Sequence, residues 1–509
     1  MKKGFTLIEM LAIIIVLALI SLITYPIING VINDSRNDLY NKQIDELERH
    51  TKSWISENVE SLELVDGYSR NVTFEELYNS GFISDLNVKN PKTNELLKGC
   101  ITISYNSSIT GFDVNYNEEC TPIKILYKDN SGANSPILYT NMIPIKYENN
   151  KWLVADLYSK WYDYNNKEWA NAVVLNNGVT KNVGDEVEEE DISLWYVWIP
   201  RYKYTIFNGN NGSVSEQLID VTFEKNTKTT GTVRCTDNLD GSETCTDNTN
   251  GKVINKVSTY THPAFKFGNT ELTGFWVGKF EVSGDINKIT IKPNVVSLRQ
   301  QTTLSNFFTA VKNIETIYGI DNADSHMIKN IEWGAVAYLK QSKYGLGITD
   351  IAINDNTSNY TGGGISNAYK TNVGGSTTGN IYGVYDMSGG AWEYTMGNMN
   401  DSDNAFYSSG AGFKTTIDSK YYDSYKYDTN QLSHIRGKLG DATKETMTNF
   451  GDLYGGWYND YARFLYSEFS WFRRGGQFSD EKMSGIFYFN SSQGSGGNYS
   501  STRAVLSAQ

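Results

Sequence analysis

Residues 1–28 read MKKGFTLIEMLAIIIVLALISLITYPII, and this stretch decides the architecture. Lys2, Lys3 and Gly4 precede a 24-residue run that reads as a membrane-spanning helix apart from one carboxylate, Glu9. From Met10 to Ile28 no residue is charged. Those 19 residues span about 28 Å as a helix, enough to cross a bilayer core. A carboxylate in that setting costs on the order of 3 kcal/mol, so it needs a partner. Cleavage after Gly4 supplies one. Phe5 becomes a positively charged N-terminus and Glu9 the fifth residue of the mature chain. In a bundle of identical helices, Glu9 of one subunit then pairs with the Phe5 amine of the next. A slipped register leaves both charges unpaired in lipid. A secretory signal peptide is the competing reading, but it requires a small-residue cleavage site after the apolar run. Thr24, Tyr25, Pro26 and Ile27 offer none.

The run Lys2-Lys3-Gly4-Phe5-Thr6-Leu7-Ile8-Glu9 resembles the signal of type IV prepilins and pseudopilins. The resemblance implies cleavage after Gly4 by a membrane prepilin peptidase and N-methylation of Phe5. It makes Phe5, Glu9 and Pro26 assembly residues, Pro26 matching a proline that kinks the family's helix. It implies other pilin subunits as partners. It places the chain first in the inner or cytoplasmic membrane and then at the cell surface, in an extracellular filament. Residues 1–4 are the leader, and 5–65 form the pilin helix with its transmembrane part at 10–28. Beyond the membrane run an apolar stripe continues through Tyr40, Ile44, Leu47, Trp54, Val59 and Leu62. The spacing predicts a helix to about Leu64, roughly 90 Å long, with Gly67 as its stop.

The remaining composition suits an exported protein. The chain has 509 residues and a net charge of −13, which gives no nucleic-acid footprint. Charged residues are 20% of the chain, while tyrosine reaches 35 residues. That profile fits a wet, aromatic extracellular surface better than a cytosolic enzyme. The four cysteines fall as two local pairs, none in a CxxC motif. The simplest pairing is Cys100–Cys120 and Cys235–Cys245, with four reduced thiols as the alternative. Disulfides of this kind imply an oxidising compartment.

Residues 66–122 read as a small α/β head. Thr73 is an N-cap with Glu76 at N3, Gly81 ends that helix, and 100–105 and 111–116 alternate as hairpin strands. A Cys100–Cys120 bridge staples the hairpin, and the layout resembles short Gram-positive pilin heads. Residues 123–189 read as a connecting β-rich region with short strands such as 123–127. Glu186 to Asp191 reads as a solvated acidic loop. The insertion 225–256 reads as a projecting hairpin closed by Cys235 and Cys245. Its Asp237–Glu243 stretch lacks the twelfth-position Glu of a calcium loop.

Asn380-Ile381-Tyr382-Gly383-Val384-Tyr385-Asp386-Met387-Ser388-Gly389-Gly390-Ala391-Trp392-Glu393-Tyr394 resembles the central motif of the formylglycine-generating-enzyme/sulfatase-modifying-factor family, a variant of the C-type lectin fold. Asn380, Gly383, Asp386, Met387, Gly389, Trp392 and Glu393 match. Val384, Gly390, Ala391 and Tyr394 depart. A tight glycine-rich turn with Met387 and Trp392 in the core, and with Asp386 and Glu393 on loop backbone, accounts for the block structurally. Glu332 and Trp333, Arg474 and Arg503 match further family positions. The likeness spans 190–509 and predicts an α+β chain: a long N-terminal helix, a small head, and a large C-type-lectin-like mixed domain rich in irregular loops.

The family's oxidases need a late copper-binding cysteine pair, and this chain has no cysteine after Cys245. His50, His262, His326 and His434 show no zinc spacing, and no GxSxG elbow or P-loop is present. The expectation is therefore a non-enzymatic, cofactor-free protein. Calcium stays open for the Asp/Asn-rich loops. Residues 475–501 are rich in Tyr, Asn, Ser and Gly, the vocabulary of adaptable recognition surfaces. They nominate Gln477, Phe478, Tyr488, Asn490, Ser492, Asn498 and Tyr499 as a binding face for a surface glycan or protein, against a glycine-rich loop over an aromatic core. The aromatic clusters at 457–461 and 466–472 are expected in the core. The functional expectation is a minor or tip subunit of a type IV pilus or pseudopilus displaying an adhesive lectin-like domain. The alternatives are a pseudopilin of a type II secretion or DNA-uptake machine, a membrane-anchored exported enzyme of the modifying-factor family, and a tethered structural protein that never polymerises.

Overall fold

The computed structural model describes residues 6–59, 62, 68–106, 111–120, 126–206, 215–231, 233–237, 243–247, 259–299, 302–403, 405–407 and 410–508. Gly4 and Phe5 lie outside them. The chain divides into two compact units, Met1–Ile125 and Leu126–Gln509.

The first unit is built on one helix, Leu7–Asn58, about 78 Å long at 1.5 Å per residue. Thr6 caps it, and the helix continues through Pro26. Its N-terminal part is long and apolar enough to cross a membrane, and the residues there are exposed. The C-terminal part buries Leu47, Thr51, Trp54 and Ile55, a spacing of three to four that puts them on one face. Tyr40 and Ile44 pack beside them. The helix stops six residues short of the predicted Leu64. Val59 is its C-cap and is exposed rather than part of the stripe. The Asn58 side chain donates to the Trp54 carbonyl at 2.9 Å, satisfying a group that a helix end leaves open.

Against this face pack a short helix, Phe74–Asn79, and a three-stranded antiparallel sheet of Ser69–Val72, Cys100–Asn106 and Gly111–Asn117. Thr73 caps the short helix as predicted, its Oγ1 accepting from the Glu76 N–H at 3.1 Å. Gly81 follows in the left-handed region at φ 78°. Cys100 and Cys120 form a disulfide across a Cα separation of 5.7 Å. Glu48 of the long helix accepts from the Tyr116 N–H at 2.8 Å, tying helix to sheet.

The second unit is mixed α+β. Its main sheet has seven antiparallel strands in the order Ala323–Met327, Ala504–Ala508, Gly274–Gly278, Ile192–Pro200, Asn171–Leu175, Ile143–Glu148 and Lys151–Val154. Residues 126–189, read from sequence as a connecting region, thus supply three strands to the same sheet as segments from 190 onward. The strands Asn171–Leu175, Ile192–Pro200 and Gly274–Gly278 are buried throughout, covered on both faces. A second sheet runs Asp423–Tyr425, Trp392–Met399, Trp471–Gly475 and Gly485–Ser492, with Ser500–Thr502 pairing parallel to residues 392–394.

The 225–256 insertion contains the expected hairpin, joined to the neighbouring strand through Val233 opposite Tyr260. Its strands Val233–Asp237 and Glu243–Asp247 pair antiparallel with Cys235 opposite Cys245, and they form one edge of a five-stranded sheet. The segment 123–125 lies outside the described residues. In the acidic run Glu188 and Glu190 are exposed, as expected of a solvated loop, and the other three carboxylates form partly exposed ion pairs. Glu186 meets Lys151 at 2.5 Å, Glu189 meets Lys370 at 2.7 Å and Asp191 meets Lys181 at 2.7 Å. Of the expected core aromatics, Trp457, Trp471 and Phe472 are fully buried, while Tyr458, Tyr461, Tyr466 and Phe469 are only half-buried.

Candidate functional site

The glycine-rich block of residues 380–394 ends in the strand Trp392–Met399. Asp386, Gly389 and Gly390 all have positive φ, near 61°, 77° and 70°. A side chain at Gly389 would meet the Asn354 carbonyl at 2.4 Å, so only glycine fits that turn. Gly383 is crowded by the Thr377 and Thr378 side chains, and its carbonyl accepts from the Lys279 ammonium at 2.8 Å. Met387 is core. Asp386 accepts from the Gly362 N–H at 2.9 Å and from Asn354 at 2.9 Å, as the loop-bonding expectation had it.

Glu393 does something else. It is fully buried and binds Arg503 at 2.9 and 2.5 Å. Arg503 also donates to the carbonyls of Gly278 and Tyr385, at 2.7 and 2.9 Å. Burial pushes the Glu393 carboxyl up to about 7 against the pull of Arg503. Burial, Asp386 and Glu393 together push Glu281 well above the carboxylate range. Glu332, Trp333 and Arg474 also point inward. Glu332 accepts from the Lys329 N–H at 2.8 Å, the Trp333 indole donates to the Ile486 carbonyl at 2.8 Å, and Arg474 donates to the Ala442 carbonyl at 2.9 Å. Of these, the Glu393–Arg503 pair ties the second sheet to Gly278 of the first, while Trp333 ties the helix Asn330–Lys340 to the second sheet.

Trp392 departs from the core expectation. It is only half-buried. Its indole N–H donates to Asp480 at 2.8 Å and to the Tyr488 hydroxyl at 3.1 Å. The Arg473 guanidinium lies over its ring, 4.1 Å from the centroid, a stacked cation–π contact. Strand alternation explains the grouping. Side chains two apart share a face, and register places Arg473 opposite Tyr394 and Asn490, so Trp392, Arg473, Tyr488 and Asn490 fall on one side of the second sheet.

The nominated binding residues separate into two groups. Tyr488, Asn490 and Ser492 belong to the strand Gly485–Ser492, every residue of which is buried. They are a floor, not an exposed face. Asn490 donates to the Tyr488 hydroxyl at 3.1 Å, and Ser492 bonds the Tyr394 hydroxyl at 3.1 Å. Burial holds the Tyr488 hydroxyl protonated, its pKa raised. Gln477 and Phe478 are half-buried, and Asn498 and Tyr499 are exposed. Phe478 meets Tyr499 edge-on at 5.7 Å between centroids, and Arg299 lies 5.7 Å from the Tyr499 ring. The surface ledge therefore consists of Trp392, Arg473, Phe478, Asp480, Tyr499 and Arg299. Four of these six were not nominated from sequence. Strand register sets Arg473 beside Trp392, while Asp480 and Arg299 arrive from loops, and a local reading contains neither signal.

The ledge offers flat aromatic faces, a stacked guanidinium and one carboxylate. Such groups can stack on a ring or sugar face and hydrogen-bond to it. Among the described residues no group of three or more His, Cys, Asp or Glu is arranged to hold a metal ion.

At the other end of the chain, Thr6 and Glu9 close a reciprocal cap. The Glu9 carboxylate accepts from the Thr6 N–H at 2.9 Å and the Thr6 hydroxyl at 2.8 Å. Both bonds fall on Oε2, so Oε1 stays outside the cap. No family model matches the chain, and no curated protein matches it.

Proposed function

We propose that the chain is a pilin-like subunit, anchored and assembled through its N-terminal helix, whose large unit is a non-enzymatic ligand-capture domain displayed outside the membrane. The observation that carries the proposal is the helix Leu7–Asn58. Its apolar part is exposed among the described residues, and a carboxylate sits at its very start. Uncovered apolar surface of this extent needs lipid or other helices around it. Glu9 Oε1 is the atom available to a neighbouring subunit's N-terminal amine. Pairing across subunits converts the desolvation cost of the carboxylate into a register constraint. A large unit of some 380 residues suits a minor or tip position better than a place at every step of a thin fibre.

Two measurements test the proposal. Mass analysis of the mature N-terminus is expected to find Phe5, methylated, as the first residue. Glu9→Ala is expected to leave membrane insertion intact and to abolish recovery in sheared filaments. A mature chain beginning at Met1, or unchanged filament recovery of the variant, refutes assembly through this contact.

A further inference from the structure

The ledge holds polar groups that the protein itself leaves without partners. The Arg473 guanidinium makes no hydrogen bond or ion pair among the described residues, and its Nε is buried. It lies over the Trp392 ring, 4.1 Å from the centroid. Asp480 takes the Trp392 indole N–H at 2.8 Å and the Gln477 N–H at 3.1 Å, both on Oδ2. Its Oδ1 receives no hydrogen bond among the described residues. The Gln477 side-chain oxygen is likewise buried without a donor.

A guanidinium only donates and an ionised carboxylate only accepts. One indole thus carries a free donor fork over its ring and a free acceptor off its nitrogen. A simple anion is repelled by Asp480, and a simple cation by Arg473. A ligand that satisfies both groups offers donors and acceptors on neighbouring atoms, with an apolar surface for the rings. Hydroxyls both donate and accept. A sugar carries them around the rim of a ring whose faces are C–H bonds.

The aromatic surface extends past Trp392 in two directions. At its backbone end, the Trp392 N–H donates to the Tyr499 carbonyl at 2.9 Å, and the Tyr499 and Phe478 rings meet edge-on at 5.7 Å. At its ring end, Tyr488 accepts from the indole at 3.1 Å, and its ring stands 5.8 Å from that of Tyr461. Tyr461 in turn stands 5.8 Å from Tyr454. Tyr454 is 50% exposed and Tyr499 41% exposed, so both ends of this path of contacts reach solvent. Such a path suits a chain of repeating units better than a lone sugar. Addition of a peptide strand is closed off here, because Trp392–Tyr394 already pairs with Ser500–Thr502 on one side and with Arg473 and Arg474 on the other.

We infer that the ledge captures an uncharged, linear oligosaccharide. One sugar sits at Trp392 with its hydroxyls between Arg473 and Asp480, and its neighbours lie on Tyr499 with Phe478 and on Tyr461 with Tyr454. The inference rests on the ligand-capture reading of the large unit and supplies its ligand class.

The test is calorimetric titration of the full detergent-solubilised chain with linear hexasaccharides of glucose, mannose, galactose and N-acetylglucosamine, with their trisaccharides, and with hexagalacturonate. At least one neutral hexasaccharide is expected to bind roughly tenfold tighter than its own trisaccharide and than hexagalacturonate, with an affinity that salt leaves unchanged. Asp480→Asn keeps an oxygen for Trp392 and Gln477 but turns the free acceptor into a donor, and is expected to weaken that hexasaccharide roughly tenfold. Arg473→Gln is expected to weaken it by a similar factor. Tyr454→Ala, at an exposed position, is expected to weaken the hexasaccharide about threefold and keeps the test decisive where Arg473→Gln disturbs folding. Absence of binding by every neutral hexasaccharide, tighter binding of hexagalacturonate, or unaltered affinity in both Asp480→Asn and Tyr454→Ala overturns the inference. A protein array then separates the two readings. Trp392-dependent capture there leaves the large unit a capture domain with another ligand class, and its absence removes the capture reading as well.

Discussion

Replacing Arg503 by methionine tests the clasp that joins the glycine-rich block to the main sheet. The guanidinium makes four hydrogen bonds, two to Glu393 and one each to the carbonyls of Gly278 and Tyr385. Each is worth roughly 1 kcal/mol net, so their loss costs about 4 kcal/mol. Glu393 adds a pH signature. Its pKa stands near 7, above the ordinary 4.5, so below pH 7 the folded wild type already holds this carboxyl neutral. Without Arg503 the pKa rises further. Between pH 4.5 and 7 both proteins carry the same bound proton and lose stability in parallel as pH rises. Above pH 7 the wild type ionises against Arg503 while the variant stays protonated. The gap between them then widens by up to about 1.4 kcal/mol per pH unit. Urea unfolding at pH 6, 7.5 and 9, followed by tryptophan fluorescence, reads this directly, because ten of the eleven tryptophans lie in the large unit and only Trp54 in the small one. A loss under 1 kcal/mol at pH 6, or a gap that does not grow between pH 7.5 and 9, refutes the reasoning. Pairing Arg503→Met with Glu393→Gln is expected to abolish the widening.

Replacing Cys100 and Cys120 by serine opens a loop of 20 residues and is expected to destabilise the small unit by roughly 3 kcal/mol, seen as faster proteolysis there with the large unit's unfolding midpoint unchanged. Trp392→Ala removes the platform under Arg473, and is expected to cut capture on glycan or protein arrays more than tenfold while costing about 1–2 kcal/mol of stability. Burial opposes ionisation of Asp324, but His326, Lys312 and Lys420 hold it well below the carboxylate range. Its contribution is therefore present above about pH 4 and lost as pH falls, so Asp324→Asn is expected to flatten the acid limb of the stability curve.

What the chain discloses residue by residue is local chemistry. Thr73 with Glu76, the alternation of 100–105 and 111–116, and the apolar run after Gly4 each state their structure within a few positions, and the fold follows them. The end of the long helix was misplaced because the stripe includes Leu62, which is buried although the helix has ended at Asn58. Residues 126–189 looked separate because antiparallel pairing of Asn171–Leu175 with Ile192–Pro200 leaves no mark beyond buried apolar runs. The polar letters of Tyr488, Asn490 and Ser492 suggested exposure, but neighbouring hydroxyls and amides satisfy them inside the unit. Arg473 escaped notice because only strand register brings it to Trp392, and Asp480 because a loop 88 residues downstream delivers it there.

The strand Ala504–Ala508 lies inside the main sheet, between Ala323–Met327 and Gly274–Gly278, while the sheet's earliest strand begins at Ile143. During synthesis at about 5–20 residues per second, the earlier strands therefore wait on the order of tens of seconds for the segment that locks them together. Until then the sheet lacks the strand that joins Ala323–Met327 to Gly274–Gly278. The buried Trp- and Val-rich strands Asn171–Leu175 and Ile192–Pro200 thus depend for their full cover on a segment made more than three hundred residues later.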